Sequence, residues 1–283
     1  MEVLRLDGAG QALDLVTEPL RASGAEGEVA FGILRRLTAE PRAWGEEVTI
    51  LVGALSGAPA VLVLMTGVLP ALIVRFTDAD AVGFADLVAA VLALDRRPIG
   101  VNGARRWSEP FARAFCDIAG ARAEVRREVR AFELRAVTRP RMPAGGFRVA
   151  TTADGDVLDG WMVAFGADID EPTTPEQAAR NVARLTSLRD LALWDMDGRV
   201  VAMAAVTRRT PWSSSIGLVY TPPPLRARGF ASAVVADLSQ RELDAGQRYC
   251  SLLADLANLT SNRIYAAIGY EPKCDLRHLS LTW

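Results

Sequence analysis

At 283 residues, half of them apolar and 23% charged, the chain has material for two packed domains at roughly 100–200 residues each. A formal net charge of -2 supplies no global positive field to attract nucleic acid or an anionic membrane surface. A single histidine, His278, excludes histidine-rich metal chemistry, while Cys116, Cys250 and Cys274, widely spaced and without a CxxC pair, argue against a disulfide framework or a zinc site and suit a reducing cytoplasm.

The opening stretch MEVLRLDGAGQALDL has no basic segment followed by an apolar one, so no signal peptide is expected. Residues 29–44 read as a helix, with Val29, Ile33, Leu34 and Leu37 on one stripe. Thr49 to Val74 is uncharged and long enough to suggest a membrane span, but Gly53, Gly57, Pro59, Gly67 and Pro70 interrupt it. The pieces between are short and rich in branched residues, which predicts three buried strands ending near Phe76. A helix is predicted over 80–93, a short strand over 99–102, and a helix over 108–118 stopped by Gly120. Residues 124–137 alternate polar and apolar, as an exposed or edge strand does.

The run at 138–146, ThrArgProArgMetProAlaGlyGly, concentrates Pro, Gly and Arg without apolar periodicity. It places a domain boundary at 140/141. Beyond it a strand is predicted over 147–150, then a helix capped by Thr152 or Asp154 and running to about Gly166. Thr174 and Gln177 have capping-box spacing for a second helix, to about Leu188. Strands follow at 191–194, 200–207 and 215–220, the first two joined by an AspGly turn at 197–198. The rest reads as a helix over 229–245, a strand over 250–256, a helix over 261–268 and a last strand ending near Thr282. The order of strands and helices in the first half is a weaker version of the second, so the chain reads as two copies of one α+β unit.

The chemistry concentrates in LeuValTyrThrProProProLeuArgAlaArgGlyPheAlaSer, 218–232. A strand ends at Tyr220, the prolines cannot continue a ladder, and a turn at Arg226–Gly229 opens an amphipathic helix. A helix N-terminus presents unpaired N–H groups and a partial positive charge. A glycine there lets the backbone approach a phosphate, Ala231 keeps the wall low, and Arg226 and Arg228 add charge. The natural ligand of such a cradle is a pyrophosphate, although a strand–turn–helix with a solvated basic turn reads the same way.

The run Arg226-x-x-Gly229-x-Ala231 resembles the Q/R-x-x-G-x-G/A signature of the GNAT acetyltransferases. Asn258 through Tyr270, with Ser261 at the small position, Tyr265 at the tyrosine and Gly269-Tyr270 closing the helix, is similar to that family's N-x-x-A-x-x-x-Y-x-x-x-G-F/Y segment. The resemblance implies two GNAT-like units, each a mixed, mostly antiparallel sheet flanked by helices: a degenerate domain over 1–140 and a catalytic one over 141–283. It implies acetyl-CoA as acyl donor and no metal. Arg226, Ala227, Arg228, Gly229, Phe230, Ala231 and Ser232 would hold the pyrophosphate. The amides of Leu218, Val219 and Tyr220 would bind the pantetheine arm and acetyl carbonyl, and Asn258 would bond the arm or cap its helix.

The same resemblance makes Tyr265 the acid that protonates the departing thiolate, by direct transfer to a primary amine of a small molecule or peptide. Its base is open, because the strand where many relatives carry a glutamate reads ValValAlaMetAlaAlaValThr here; Asp255 is the candidate. Asp168 and Glu171, in an acidic run beside the acceptor region, could attract a cationic amine or form a solvated loop. The first copy lacks these parts. Asp78 and Asp80 stand where phosphates would bind, and Phe115 or Cys116 lies near the tyrosine position. A non-catalytic CoA binder and an interaction protein of the same fold stay open beside the enzyme reading, and an oligomer is possible.

Overall fold

The computed structural model describes residues 1–45, 47–79 and 83–283. It divides into two compact units. The first comprises Met1–Ala131, Ala254–Asn258 and Pro272–Trp283; the second comprises Phe132–Leu253 and Leu259–Glu271.

The first unit opens with β1 (Glu2–Leu6), α1 (Ala9–Ala22) and α2 (Ala25–Ala39). The sequence pattern gave only part of α2, with a start at 29, and neither β1 nor α1. Ala12, Val16 and Leu20 form a buried stripe along α1, but Pro19 sits inside that helix and masks the pattern. α2 begins four residues earlier than the periodicity indicates because the helices cross at Gly27, where a side chain would strike the Leu20 carbonyl. β2 (Thr49–Leu55), β3 (Ala58–Met65) and β4 (Ala71–Arg75) follow, buried nearly throughout. The uncharged stretch is therefore sheet, and among the described residues no helix is long and apolar enough to cross a membrane.

Then come α3 (Phe84–Ala93), β5 (Gly100–Ala104), α4 (Arg105–Ala119) and β6 (Arg122–Leu134). Asp80 and Val82, at the expected start of α3, lie outside the described residues. Gly120 ends α4 in the left-handed region, φ 70°, as its position predicts. The sheet of this unit runs β1-β2-β3-β4-β5, and then the strand beside β5 is β12 (Glu271–Thr282), with β6 beyond it. β12 pairs antiparallel with β5, Leu276 to Ser280 against Ala104 to Gly100. Phe111 and Phe115 of α4 pack edge-to-face, 5.1 Å between centroids, over Ile73, Val101 and Leu87.

The second unit contains β7 (Gly146–Val149), α5 (Gly155–Asp168), α6 (Pro175–Ser187), β8 (Leu191–Met196), β9 (Arg199–Arg209), β10 (Ser213–Tyr220), α7 (Phe230–Asp244), β11 (Tyr249–Asp255) and α8 (Leu259–Ile268). Its strands lie in the order β11-β10-β9-β8-β7. All pair antiparallel except β10 with β11, the pair that α7 connects. Local chemistry fixes the connections. Asp197 and Gly198 take φ 53° and 81°, the left-handed pair a tight hairpin needs. Thr174 Oγ1 accepts from the Gln177 amide while Gln177 Oε1 accepts from the Thr174 amide, completing the capping box of α6. Leu158 and Met162 of α5 with Ala178, Val182 and Leu185 of α6 close one face over Leu191, Leu193, Met203 and Ala205. The fold is thus mixed α+β in both halves.

Candidate functional site

The site begins where a parallel strand pair comes apart. β10 and β11 pair from Ser213↔Tyr249 to Ile216↔Leu252, yet β10 continues to Tyr220 and β11 to Asp255. On its other side β10 is bulged against β9. Gly217 faces Ala205 and Tyr220 faces Met203, so Leu218 and Val219 share the space of one residue. Leu218 absorbs the extra residue in the left-handed region, φ 51°, at a cost of about 1–2 kcal/mol for a non-glycine. The bulge takes the amides of Leu218 and Val219 out of the β9 register. A strand end that outruns one ladder and is bulged against the other can bind a carbonyl or an amide-bearing chain by adding to its edge.

The turn after β10 is rigid and open. Pro223–Leu225 makes one 3-10 turn, Arg226 is extended, and Ala227 and Gly229 are both left-handed at φ 62° and 85°. Gly229 is the N-cap of α7, and among the described residues no side chain caps the helix. The amides of Phe230, Ala231 and Ser232 therefore have no intrahelical acceptor and carry the positive end of a 15-residue helix. Arg226, Ala227, Arg228 and Gly229 are exposed, whereas Phe230 is buried with Ala233 and Val234 and anchors the helix start. A Cβ at Gly229 would meet nothing nearer than the Arg141 carbonyl oxygen at 3.8 Å and Pro143 Cδ at 3.9 Å.

Arg226 is held by protein. Its Nε donates to the Thr221 carbonyl at 2.9 Å, its guanidinium pairs with Asp168 at 2.5 Å, and it lies 5.8 Å from the centre of the Tyr220 ring. Tyr220 is buried and packs on Trp161 of α5, 5.8 Å between centroids. Asp168, the last residue of α5, is thereby tied to the turn, and its carboxylate faces an arginine. Glu171 lies in the loop after α5, where its amide donates to the Gly166 carbonyl at 2.9 Å. Gly166 is small because a Cβ there would press on the Glu171 carbonyl at 2.7 Å.

Tyr265 is in α8, which packs on α7. It is 8% exposed, between Phe132 at 6.3 Å and Tyr270 at 6.0 Å. Burial pushes its phenol up to about 12, against the pull of a hydrogen bond with Ser261 one helical turn earlier. Tyr270 is fixed in turn by Ser239 of α7, 2.8 Å from its hydroxyl. A Cβ added at the left-handed Gly269, φ 106°, would stand 3.0 Å from the Ala136 carbonyl oxygen.

Asp255 and Asn258 fall in the first unit. The Asp255 carboxylate lies 3.5 Å from Arg127 and accepts the Ala257 amide at 2.8 Å, while its carbonyl accepts the Asn258 amide at 3.1 Å. It is built into the turn that precedes α8. Asn258 is exposed and occupies the place directly before that helix, as a capping residue does. The structure thus gathers Leu218–Tyr220, Arg226–Ser232 and Asp168 around one turn. Two features escaped the sequence reading. The bulge at Leu218 has no residue signature, and the return of Arg141 and Pro143 to Gly229 gives no periodic signal.

The corresponding place in the first unit differs. β4 and β5 pair from Ala71↔Val101 to Ile73↔Gly103 and end at Arg75 and Ala104, so neither strand runs on far beyond the ladder. Gly103 lies against the Ile73 backbone so closely that a Cβ would collide with its carbonyl. Asp78 is exposed, Phe115 is fully buried and Cys116 is half-buried; Asp80 lies outside the described residues.

Comparison with known proteins agrees with this geometry. Residues 196–277 match the family model described as FR47-like protein. No curated protein matches the sequence. Among solved structures, a GCN5-related N-acetyltransferase from Sphaerobacter thermophilus superposes with TM-score 0.66 at 19% identity, over 99% of this chain and 95% of that one. A GNAT-family acetyltransferase from Colwellia psychrerythraea gives 0.61 at 11%, over 99% of each chain. A tandem GNAT protein from the clavulanic acid biosynthesis pathway gives 0.57 at 15%, over 99% of this chain and 98% of that one. At such identities the likeness establishes the fold.

Proposed function

With the GNAT fold as premise, we propose that the chain transfers an acetyl group from acetyl-CoA to a primary amine of a small molecule or peptide. The second unit is the catalytic one and the first a degenerate partner. The observation that carries the reading is the parting of β10 from β11 after Ile216, with the bulge at Leu218 beside it. Acyl transfer needs main-chain donors aimed at a thioester oxygen, and an opened parallel pair supplies them at the mouth of a helix-capped phosphate turn.

In this reading the amides of Phe230, Ala231 and Ser232 hold the diphosphate, while those of Leu218, Val219 and Tyr220 hold the pantetheine arm and the acetyl oxygen. The neutral amine attacks the thioester carbon, and negative charge gathers on the oxygen facing those amides. The C–S bond breaks, the thiolate takes the proton of the Tyr265 hydroxyl, and the new amide nitrogen gives its proton to water, from which the tyrosinate is reprotonated. A phenol held up to about 12 is protonated at neutral pH, the form a general acid needs. Water is the acceptor because β9 carries no carboxylate from Val200 to Thr207, and Asp255 is engaged by Arg127 and the Ala257 amide.

That missing base favours a second reading, a chain that binds CoA without turnover. Thiol release from acetyl-CoA, followed with a panel of primary amines, separates the two. Release that depends on an amine and on Tyr265 supports the transferase. Micromolar CoA binding with no release for any amine supports the second reading. Absence of CoA binding at high micromolar concentration removes both.

A further inference from the structure

We infer that the segment joining the two halves is part of the phosphate site, and that Arg141 supplies a guanidinium to a phosphate of the nucleotide end of the coenzyme. The inference rests on the CoA reading above. The motif assigns charge neutralisation to Arg226, but Arg226 is committed to the Thr221 carbonyl and the Asp168 carboxylate. A guanidinium already paired with a carboxylate adds little net field at the turn. The motif's own arginine thus acts as a brace between the turn and the end of α5.

The compensation must come from arginines without an acid partner. Among the described residues, neither Arg228 nor Arg141 makes an ion pair, and both are exposed. Arg228 lies within the turn. Arg141 is far off in sequence, yet its carbonyl oxygen is 3.8 Å from where a Gly229 Cβ would stand, and Pro143 is 3.9 Å away. The segment is pinned on either side of this approach. Arg139 pairs with Asp237 on α7 at 3.4 Å, and the Ala144 carbonyl accepts Trp194 Nε1 at 3.0 Å. Pro140 and Pro143 stiffen the stretch between the pins. Asp168 and Asp237 are matched by Arg226 and Arg139, and among the described residues no carboxylate forms an ion pair with Arg228 or Arg141 beside the helix start. A long flexible cation next to a helix N-terminus is suited to a phosphate oxygen, whether of the diphosphate or of the ribose 3′-phosphate.

The test is calorimetric titration of the full-length protein and its Arg141→Ala variant with CoA, 3′-dephospho-CoA and pantetheine. The variant is expected to bind CoA about tenfold more weakly, with pantetheine affinity and melting temperature unchanged. Weaker binding of both nucleotides places the contact on the diphosphate, and weaker binding of CoA alone places it on the 3′-phosphate; either result supports the inference. Arg141→Lys should recover part of the loss and Arg141→Glu deepen it. Wild-type protein that binds CoA while Arg141→Ala and Arg141→Glu bind it equally well overturns the inference and leaves the transferase reading intact. Wild-type protein that does not bind CoA overturns the underlying reading itself.

Discussion

Tyr265 and Gly229 are the two side-chain choices on which the turnover and the binding halves of the proposal separate. Replacing Tyr265 by Phe removes a hydroxyl and little volume, so the ring contacts with Phe132 and Tyr270 survive. A general acid is worth about 10²–10⁴ in rate, and kcat is expected to fall by about 10²-fold with little change in KM for acetyl-CoA. Because burial holds the phenol near 12, it stays protonated through pH 6–10, and no falling limb of kcat in that range should belong to it. A limb near pH 8 that vanishes in the Phe variant would contradict the assignment. Gly229→Ala tests the turn. Space is open around the position, so the cost comes from the backbone at φ 85°, about 1 kcal/mol, seen as a fall of a few degrees in Tm. CoA affinity should drop with it, because the first-turn amides lose their aim.

At the scale of elements, β9, β10 and α7 are locked by a charge cluster around the buried Glu242 carboxylate. Glu242 of α7 is 3% exposed and is met by Arg209 of β9 at 3.0 Å, Ser214 of β10 at 2.7 Å and Arg241 at 2.8 Å, while Arg209 also pairs with Asp190. Burial raises the Glu242 carboxyl, but the three donors outweigh it and the net shift is downward. Glu242→Ala takes the shared acceptor from Arg209 and Arg241, leaves the buried Ser214 hydroxyl without its partner, and is expected to cost about 1–3 kcal/mol by denaturant titration. A value under 1 kcal/mol would mean that solvent already reaches the cluster. A second lock has a pH signature. Asp154, beside Arg148 and the Thr151 amide, is held down to about 2. A depressed carboxyl stabilises the fold above its ordinary value near 4 and loses that contribution as pH falls toward 2. Asp154→Asn should therefore lower Tm at pH 7 and converge on the wild type near pH 2.

These elements were unequally legible. The α6 cap and the AspGly hairpin carry residues that only one backbone geometry uses well, so their chemistry announces them. The glycine turn that opens α7 was visible for the same reason. The bulge at Leu218 was hidden, because any residue can be forced left-handed by its neighbours and the forcing is tertiary. The role first given to Arg226 also depended on where Asp168 ends up, which spacing in the chain does not encode. α1 escaped because Pro19 breaks the rule a helix search relies on, while the fold accepts the lost amide.

For the molecule as a whole, the telling element is β12. Its alternation marks it as a strand, but periodicity names no partner, and the order of elements pointed to a plain succession of two units. In the structure it lies between β5 and β6 in the first unit's sheet. Truncation after Glu271 removes an interior strand there and strips the ladder from Gly100–Ala104. Soluble expression is expected to collapse, whereas retained folding with a normal Tm would show that β5 and β6 can close the gap directly.

That threading also bears on biosynthesis. The strands on both sides of the gap have been synthesised by residue 134, yet the piece that fills it is made only from residue 271 onward. At about 5–20 residues per second, translation keeps the early half waiting for roughly 7–28 s with two raw edges exposed, a natural moment for a chaperone to engage it.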